Sequence, residues 1–145
     1  MRFNRILCGV DFSPDSLAAF RIAVETAQLN SASLHLFHVI EAQPTASGEV
    51  LIEIVKRANA AMETLVESAQ SSLEGLAFTT EVTSGRAFVE IVRRARKWKA
   101  DLTVLGSKGT TSLEQIIMGG TAEGVVKEAP CSVLVVRPDR EHDEK

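Results

Sequence analysis

The sequence predicts an α/β fold, a doubly wound five-stranded parallel sheet covered by helices on both faces. Three observations point to it. Five short apolar runs alternate with stretches of helical periodicity along the 145 residues, the pattern of repeated strand–helix units. Right-handed crossovers between parallel strands then leave a doubly wound sheet as the natural solution. One of the runs also leads straight into a glycine-rich turn and further helical pattern, which is how open α/β sheets build a phosphate cradle.

The elements follow in order. Arg5 to Val10 is the first strand. Asp11-Phe12-Ser13-Pro14 forms a turn, with Ser13 placed to cap a helix and Pro14 at its first position. Leu17, Phe20, Val24 and Ala27 recur at helical spacing on one apolar face, and Asn30-Ser31-Ala32 ends that helix. Ser33 to Ile40 is the second strand. A loop of small and polar residues, Glu41 to Gly48, precedes a long helix from about Glu49 to Leu73. Its expected buried stripe is Leu51, Ile54, Ala58, Met62, Leu65 and Ala69, and Glu74-Gly75 stops it. Phe78 to Thr83 is the third strand, broken by Gly85. A third helix uses Phe88, Ile91, Val92, Ala95 and Trp98. Leu102 to Leu105 is the fourth strand, followed by the glycine segment with a short helix and a second one ending near Glu128. Pro130 stops that helix, and Ser132 to Val136 is the last strand. A flavodoxin-like arrangement places the first strand centrally, in the order 3-2-1-4-5. Residues 1–138 form one domain, and 139–145 are a charged tail.

Composition excludes several function classes. Hydrophobic residues make up 45% and the net charge is −3, which argues against disorder and against nucleic acid as the main partner. The basic run Arg93-Arg94-Ala95-Arg96-Lys97-Trp98-Lys99 reads as a solvated helix face with cations near its C-terminus. No apolar run approaches a membrane span, and the N-terminus lacks the core of a signal peptide, so a cytoplasmic location is expected. Cys8 and Cys131 lie in apolar runs and read as inert, reduced thiols. His35 and His38 are three apart in a strand and point to opposite faces, so they cannot share a metal. No residue is expected to be catalytic or to ligate a metal from the protein alone. Ser13 has no histidine placed to activate it.

The segment most suggestive of a ligand is Gly106-Ser107-Lys108-Gly109, nine residues, then Gly119-Gly120-Thr121. Glycine permits positive φ and close approach of a ligand. Ser112 and Gln115 have capping-box spacing, and Thr121 can cap the next helix, so two helix starts would face one crevice with unpaired N–H groups. Lys108 adds a cation. Spacing alone leaves two readings open, a phosphate cradle and a purely structural turn. The segment has neither Walker A nor dinucleotide-fingerprint spacing. Asp11 likewise reads either as a turn residue or as a ligand to nucleotide or metal, since in such sheets ligands bind where the winding reverses, beyond the carboxyl ends of the strands.

Taken together, Ile6-Leu7-Cys8-Gly9-Val10-Asp11-Phe12-Ser13, Leu36-Phe37-His38-Val39, Ala100-Asp101-Leu102-Thr103-Val104-Leu105-Gly106-Ser107-Lys108-Gly109 and Val133-Leu134-Val135-Val136 make the chain resemble a single-domain universal stress protein of the ATP-binding branch. That resemblance implies an adenine nucleotide alpha hydrolase-like version of the fold and a protein that binds ATP, with or without magnesium, as a ligand or switch in stress signalling and not as an enzyme. By position it implies that Val10 and Asp11 line the adenosine side and that the Val39 backbone bonds adenine. Leu105, Gly106, Lys108 and Gly109 would meet ribose and phosphates, and Gly119, Gly120 and Thr121 would complete the phosphate end. The branch's Ser or Thr after the third glycine is replaced here by Gly120, with Thr121 one place later. The resemblance also implies a homodimer through the last strand, Cys131 to Val136, whose apolar edge would otherwise invite aggregation. The alternative of the same fold is a partner-binding dimer without nucleotide, in which the glycines only shape turns. A phosphotransfer enzyme of related architecture would want an extra acid or histidine in the crevice.

Overall fold

The computed structural model of the protein describes residues 2–41, 45–108 and 118–138. The elements run β1 (Arg5–Gly9), α1 (Pro14–Asn30), β2 (Ser33–Ile40), α2 (Gly48–Ser68), α3 (Gln70–Leu73), β3 (Phe78–Ser84), α4 (Ala87–Trp98), β4 (Leu102–Gly106), α5 (Gly120–Glu128) and β5 (Ser132–Val136). The sheet has five strands in the order β3-β2-β1-β4-β5, all neighbours parallel. The expected order and the expected bounds of β2 and β5 are those found. Ser112, Gln115 and the short helix expected around them lie outside the described residues, as do Gly109 and the tail 139–145.

Two apolar layers hold the sheet. On one face Ile6, Cys8, Leu34, Leu36 and Val104 pack against Ala19, Phe20, Ala23, Val24 and Ala27 of α1 and Met62 of α2. On the other, Leu7, Phe37, Val39 and Leu105 pack against Ile91, Val92 and Ala95 of α4 and Ala122 and Val125 of α5. The period of two along each strand divides its side chains between the layers. β1 and β4 are buried on both faces, whereas β3 and β5 are half exposed along the sheet edges. Separate layers also separate the two strand histidines. His35 meets Glu81 at 2.9 Å beside Trp98 of α4, while His38 lies by Phe12 on the α1 side.

Two helices differ from expectation. In α1, Leu17 is only half buried, and the deeply buried positions include Ala18, Ala19 and Ala23. Small side chains let the helix axis approach the sheet, and that turns Leu17 outward. The long second helix breaks at Ala69 (φ −114°, ψ 11°), which separates α2 from α3. Of its expected stripe only Ala58 and Met62 are fully buried. Leu51 is exposed together with Val50, Ile52 and Val55.

In the basic run on α4, Arg94 pairs with Glu81 and Arg93 with Glu90, each at 2.6 Å. Cys8 is fully buried, and burial pushes its thiol far above the usual cysteine range. Titration of the native protein with a thiol-reactive disulfide is therefore expected to modify at most one cysteine per chain, Cys131, with Cys8 reacting only after denaturation. Two rapidly reacting thiols in the native state would contradict this packing.

Candidate functional site

β1 and β4 are neighbours whose connections leave to opposite faces of the sheet, α1 to one and α5 to the other. A crevice must open between them at the carboxyl edge. A cavity of about 700 Å³ lies there, within the range typical of small-molecule sites. Val10, Asp11, Val39, Leu105, Gly106, Lys108, Gly119, Gly120 and Thr121 all line it. The structure thus brings together nine of the ten residues read from the sequence, and the tenth, Gly109, lies outside the described residues.

The turn after β1 is fastened internally. Ser13 Oγ accepts from Ser16 N–H at 3.2 Å as the N-cap of α1, with Pro14 at the first helical position. Asp11 Oδ1 accepts from Ser13 N–H at 3.0 Å, and Asp11 N–H donates to Ser16 Oγ at 3.2 Å. Phe12 between them has a φ of +67°, an uncommon conformation for a bulky residue. It sharply turns the chain away from the sheet and sets the ring against His38, with centroids 4.7 Å apart. Asp11 therefore serves the turn, and from the same position it faces the cavity.

That sharp exit leaves a gap in the sheet. Val10 N–H donates to Phe37 O at 2.9 Å, and Gly85 N–H donates to Ile40 O at 3.0 Å. Backbone groups of odd-numbered β2 residues accordingly face β1, and those of even-numbered ones face β3. Val39 is the next odd residue after Phe37, but pairing with β1 ends at Gly9–Phe37. The carbonyl that Val39 N–H would otherwise reach, that of Val10, accepts instead from His38 Nδ1–H at 2.7 Å. Among the described residues, nothing bonds the N–H or C=O of Val39 on the β1 side. A donor and an acceptor from one residue stand at the edge of the cavity.

The glycines work differently from expectation. Neither Gly106, Gly119 nor Gly120 has a positive φ; among the described glycines only Gly75 and Gly85 do. A Cβ on Gly106 would lie 2.6 Å from both Asp15 C and Ser16 N, so this glycine makes room for the start of α1 and not for a ligand. Past it, Ser107 and Lys108 are held by buried Asp15, whose Oδ2 accepts from Ser107 Oγ–H at 2.6 Å and from Lys108 N–H at 3.1 Å. Around Gly120, by contrast, a Cβ would meet nothing within 4 Å.

Among the described residues three helix N-termini reach the cavity wall. At α1, Ser13 Oγ accepts from Ser16 N–H, and Pro14 has no N–H to offer. At α4, Glu41 Oε2 accepts from Ala87 N–H at 3.0 Å. At α5 the N-cap is Gly119, which has no capping side chain; Thr121, expected as the cap, sits inside the first turn, because Gly119 already has the extended cap conformation (φ −73°, ψ 163°). Among the described residues nothing accepts from the first-turn N–H groups of Gly120, Thr121 and Ala122, donors that an α-helix leaves for a ligand or solvent. Among the described residues no group of three or more His, Cys, Asp or Glu side chains could hold a metal ion.

Sequence reasoning missed Asp15, His38, Glu41 and the α2 residues Ile54, Arg57, Ala58 and Ala61, all but Asp15 lining the cavity. Asp15 carried a signal, an acid in the first turn of a helix, but that pattern usually means no more than favourable charge at the helix end.

Comparison with known proteins settles the family. The model of the universal stress protein family matches residues 2–137. The chain belongs to the universal stress protein family. Among its relatives, universal stress protein MJ0531 of Methanocaldococcus jannaschii is 34% identical over 142 residues, covering 93% of this chain and 82% of that protein. The structure of universal stress protein UspA from Lactobacillus plantarum superposes with a TM-score of 0.82 at 30% identity, covering 94% of this chain and 99% of that one. A universal stress protein from Archaeoglobus fulgidus in complex with dAMP shares the fold, with a TM-score of 0.69 at 21% identity over 94% of this chain and 99% of that one.

In this universal stress protein, the backbone-to-backbone approach at Gly106 offers no flexible side chain that could give way. Gly106→Ala is expected to destabilise the fold by about 2 kcal/mol or more, read as a lower urea midpoint at unchanged m-value. An unchanged midpoint would mean that β4 and α1 are not in this register.

Proposed function

We propose that this member of the family binds ATP, with or without magnesium, as a ligand or switch in stress signalling, and that it works as a homodimer. One observation carries the reading: a single cavity has the stranded N–H and C=O of Val39 at one end and the uncapped start of α5 at the other. Adenine offers an acceptor ring nitrogen beside its N6 amino donor, the complement of one residue's N–H and C=O. Phosphate oxygens suit the N–H groups of Gly120, Thr121 and Ala122, the positive end of the helix dipole and the cationic Lys108. The carboxylates of Asp11 and Glu41 disfavour phosphates elsewhere in the cavity and leave Asp11 beside the sugar. A divalent ion would travel with the phosphates, since the described residues supply no metal cluster.

A binding role without turnover fits the acids of the site. Asp15 is taken up by Ser107 and Lys108, Asp11 by Ser13 and Glu41 by Ala87, so each already accepts from the protein's own donors. The homodimer reading rests on β5, an edge strand in the sheet order with Leu134 39% exposed. Such an edge is a template for pairing with a second copy. Among the described residues no helix is long and apolar enough to cross a membrane.

Two measurements test this. A carboxylate at Gly120 would point into open space at the α5 N-terminus, favourable to the helix by about 0.3–1 kcal/mol but in the place of phosphate. Gly120→Asp is therefore expected to keep or raise Tm while ATP affinity in calorimetry falls by about tenfold or more. Gly120→Ser, which restores a hydroxyl, should tighten ATP by about threefold or more. Absence of binding at millimolar ATP would leave the partner-binding dimer as the function. Sedimentation at micromolar concentration should give a dimer for the wild type and a monomer for Leu134→Lys; a monomeric wild type would refute pairing through β5.

A further inference from the structure

We infer that Asp15 is a positioning residue for the phosphate end of the site, acting through Ser107 and Lys108. This deepens the adenylate reading and rests on it. Asp15 lies in the first turn of α1, 7% exposed. Its Oδ2 is the shared acceptor for Ser107 Oγ–H and Lys108 N–H, and its backbone abuts the bare Cα of Gly106. The dipeptide that it grips is tied on every other side as well. Ser107 N–H donates to Val136 O at 2.9 Å, Gly119 N–H donates to Ser107 O at 2.6 Å, and Ser13 Oγ–H donates to Lys108 O at 3.4 Å. Ser107 O is thus bonded to the N-cap residue of α5, the helix whose open donors would meet phosphate. Asp15 does not line the cavity. It holds Ser107, which in turn fixes where α5 begins and where the Lys108 side chain departs.

The sign of one substitution separates this role from simple electrostatics. Asp15→Ala removes a negative charge close to the proposed phosphate end, and Coulomb's law by itself then favours tighter ATP binding. Positioning demands the opposite. Alanine has no acceptor for Ser107 Oγ–H and Lys108 N–H, which share one carboxylate oxygen, so the grip on the dipeptide is lost. The adenine end is built by Val39, His38 and Val10, none of which bonds to Asp15, so adenosine, which has no phosphates, reports chiefly that end.

The experiment measures ATP and adenosine affinities together with amide hydrogen exchange in the wild type, in Asp15→Ala and in Ser107→Ala. In Asp15→Ala, ATP affinity is expected to fall about tenfold or more, adenosine affinity to stay within about twofold, and exchange at the Lys108 and Gly119 amides to accelerate ahead of global unfolding. Ser107→Ala keeps the charge and breaks one bond, so it should show the same split in smaller measure; it decides the matter if Asp15→Ala does not fold. Tighter or unchanged ATP binding, or equal losses for ATP and adenosine, would overturn the inference. If the wild type binds neither ligand, the adenylate reading fails separately, and exchange still judges Asp15: faster exchange confined to Lys108 and Gly119 upholds its grip, and unchanged exchange refutes it.

Discussion

The site depends on one steric constraint, the approach of the β4 backbone at Gly106 to the backbone that opens α1. At 2.6 Å from the position a Cβ would take, no side chain fits. Only because the two segments come this close can Asp15 reach Ser107 and Lys108. Through Ser107 the same contact extends to Val136 at the end of β5 and to Gly119 at the start of α5. Four elements around the crevice are joined at one dipeptide. A parallel sheet provides the crevice wherever its winding reverses, but this close approach gives it a definite floor.

The crevice has a polarity that follows from how its helix ends are occupied. α1 is capped by Ser13 and α4 by Glu41, while the cap of α5 is a glycine with nothing to offer. Three positive helix ends near one another would be a diffuse attraction for anions. With two of them answered by the protein's own oxygen atoms, the attraction is concentrated at the third. The opposite end of the cavity is defined by an interruption of hydrogen bonding. Phe12 takes the chain out of the sheet, His38 claims the carbonyl of Val10, and Val39 keeps a donor–acceptor pair that no described strand partner uses. Uncommon backbone geometry at Phe12 is thus linked to the place where a ligand can continue the sheet.

Between these ends α2 supplies a wall but little anchoring. Ile54, Arg57, Ala58 and Ala61 face the cavity, and firm burial begins only at Ala58 and Met62. The earlier turns, with Val50 and Ile52 exposed, gain little from the core, so they contribute little to holding the wall rigid.

The sequence by itself determined the alternation of strands and helices, because parallel strands demand apolar runs and helices demand a period of 3.6, and both are local signals. It determined the cap at Ser13, the breaks at Gly75 and Gly85, and nine described residues of the cavity wall, with Val10, Val39 and Leu105 marked through resemblance and the other six already by the glycine segment and the reversal of winding. Tertiary structure decided the rest. That Gly106 serves packing and not φ freedom, that Asp15 grips Ser107, and that His38 frees Val39 all depend on segments about 30 to 90 residues apart meeting at particular angles. Such meetings have no local signature, since each is set by how closely alanine-faced α1 settles on the sheet and by where β1 stops pairing.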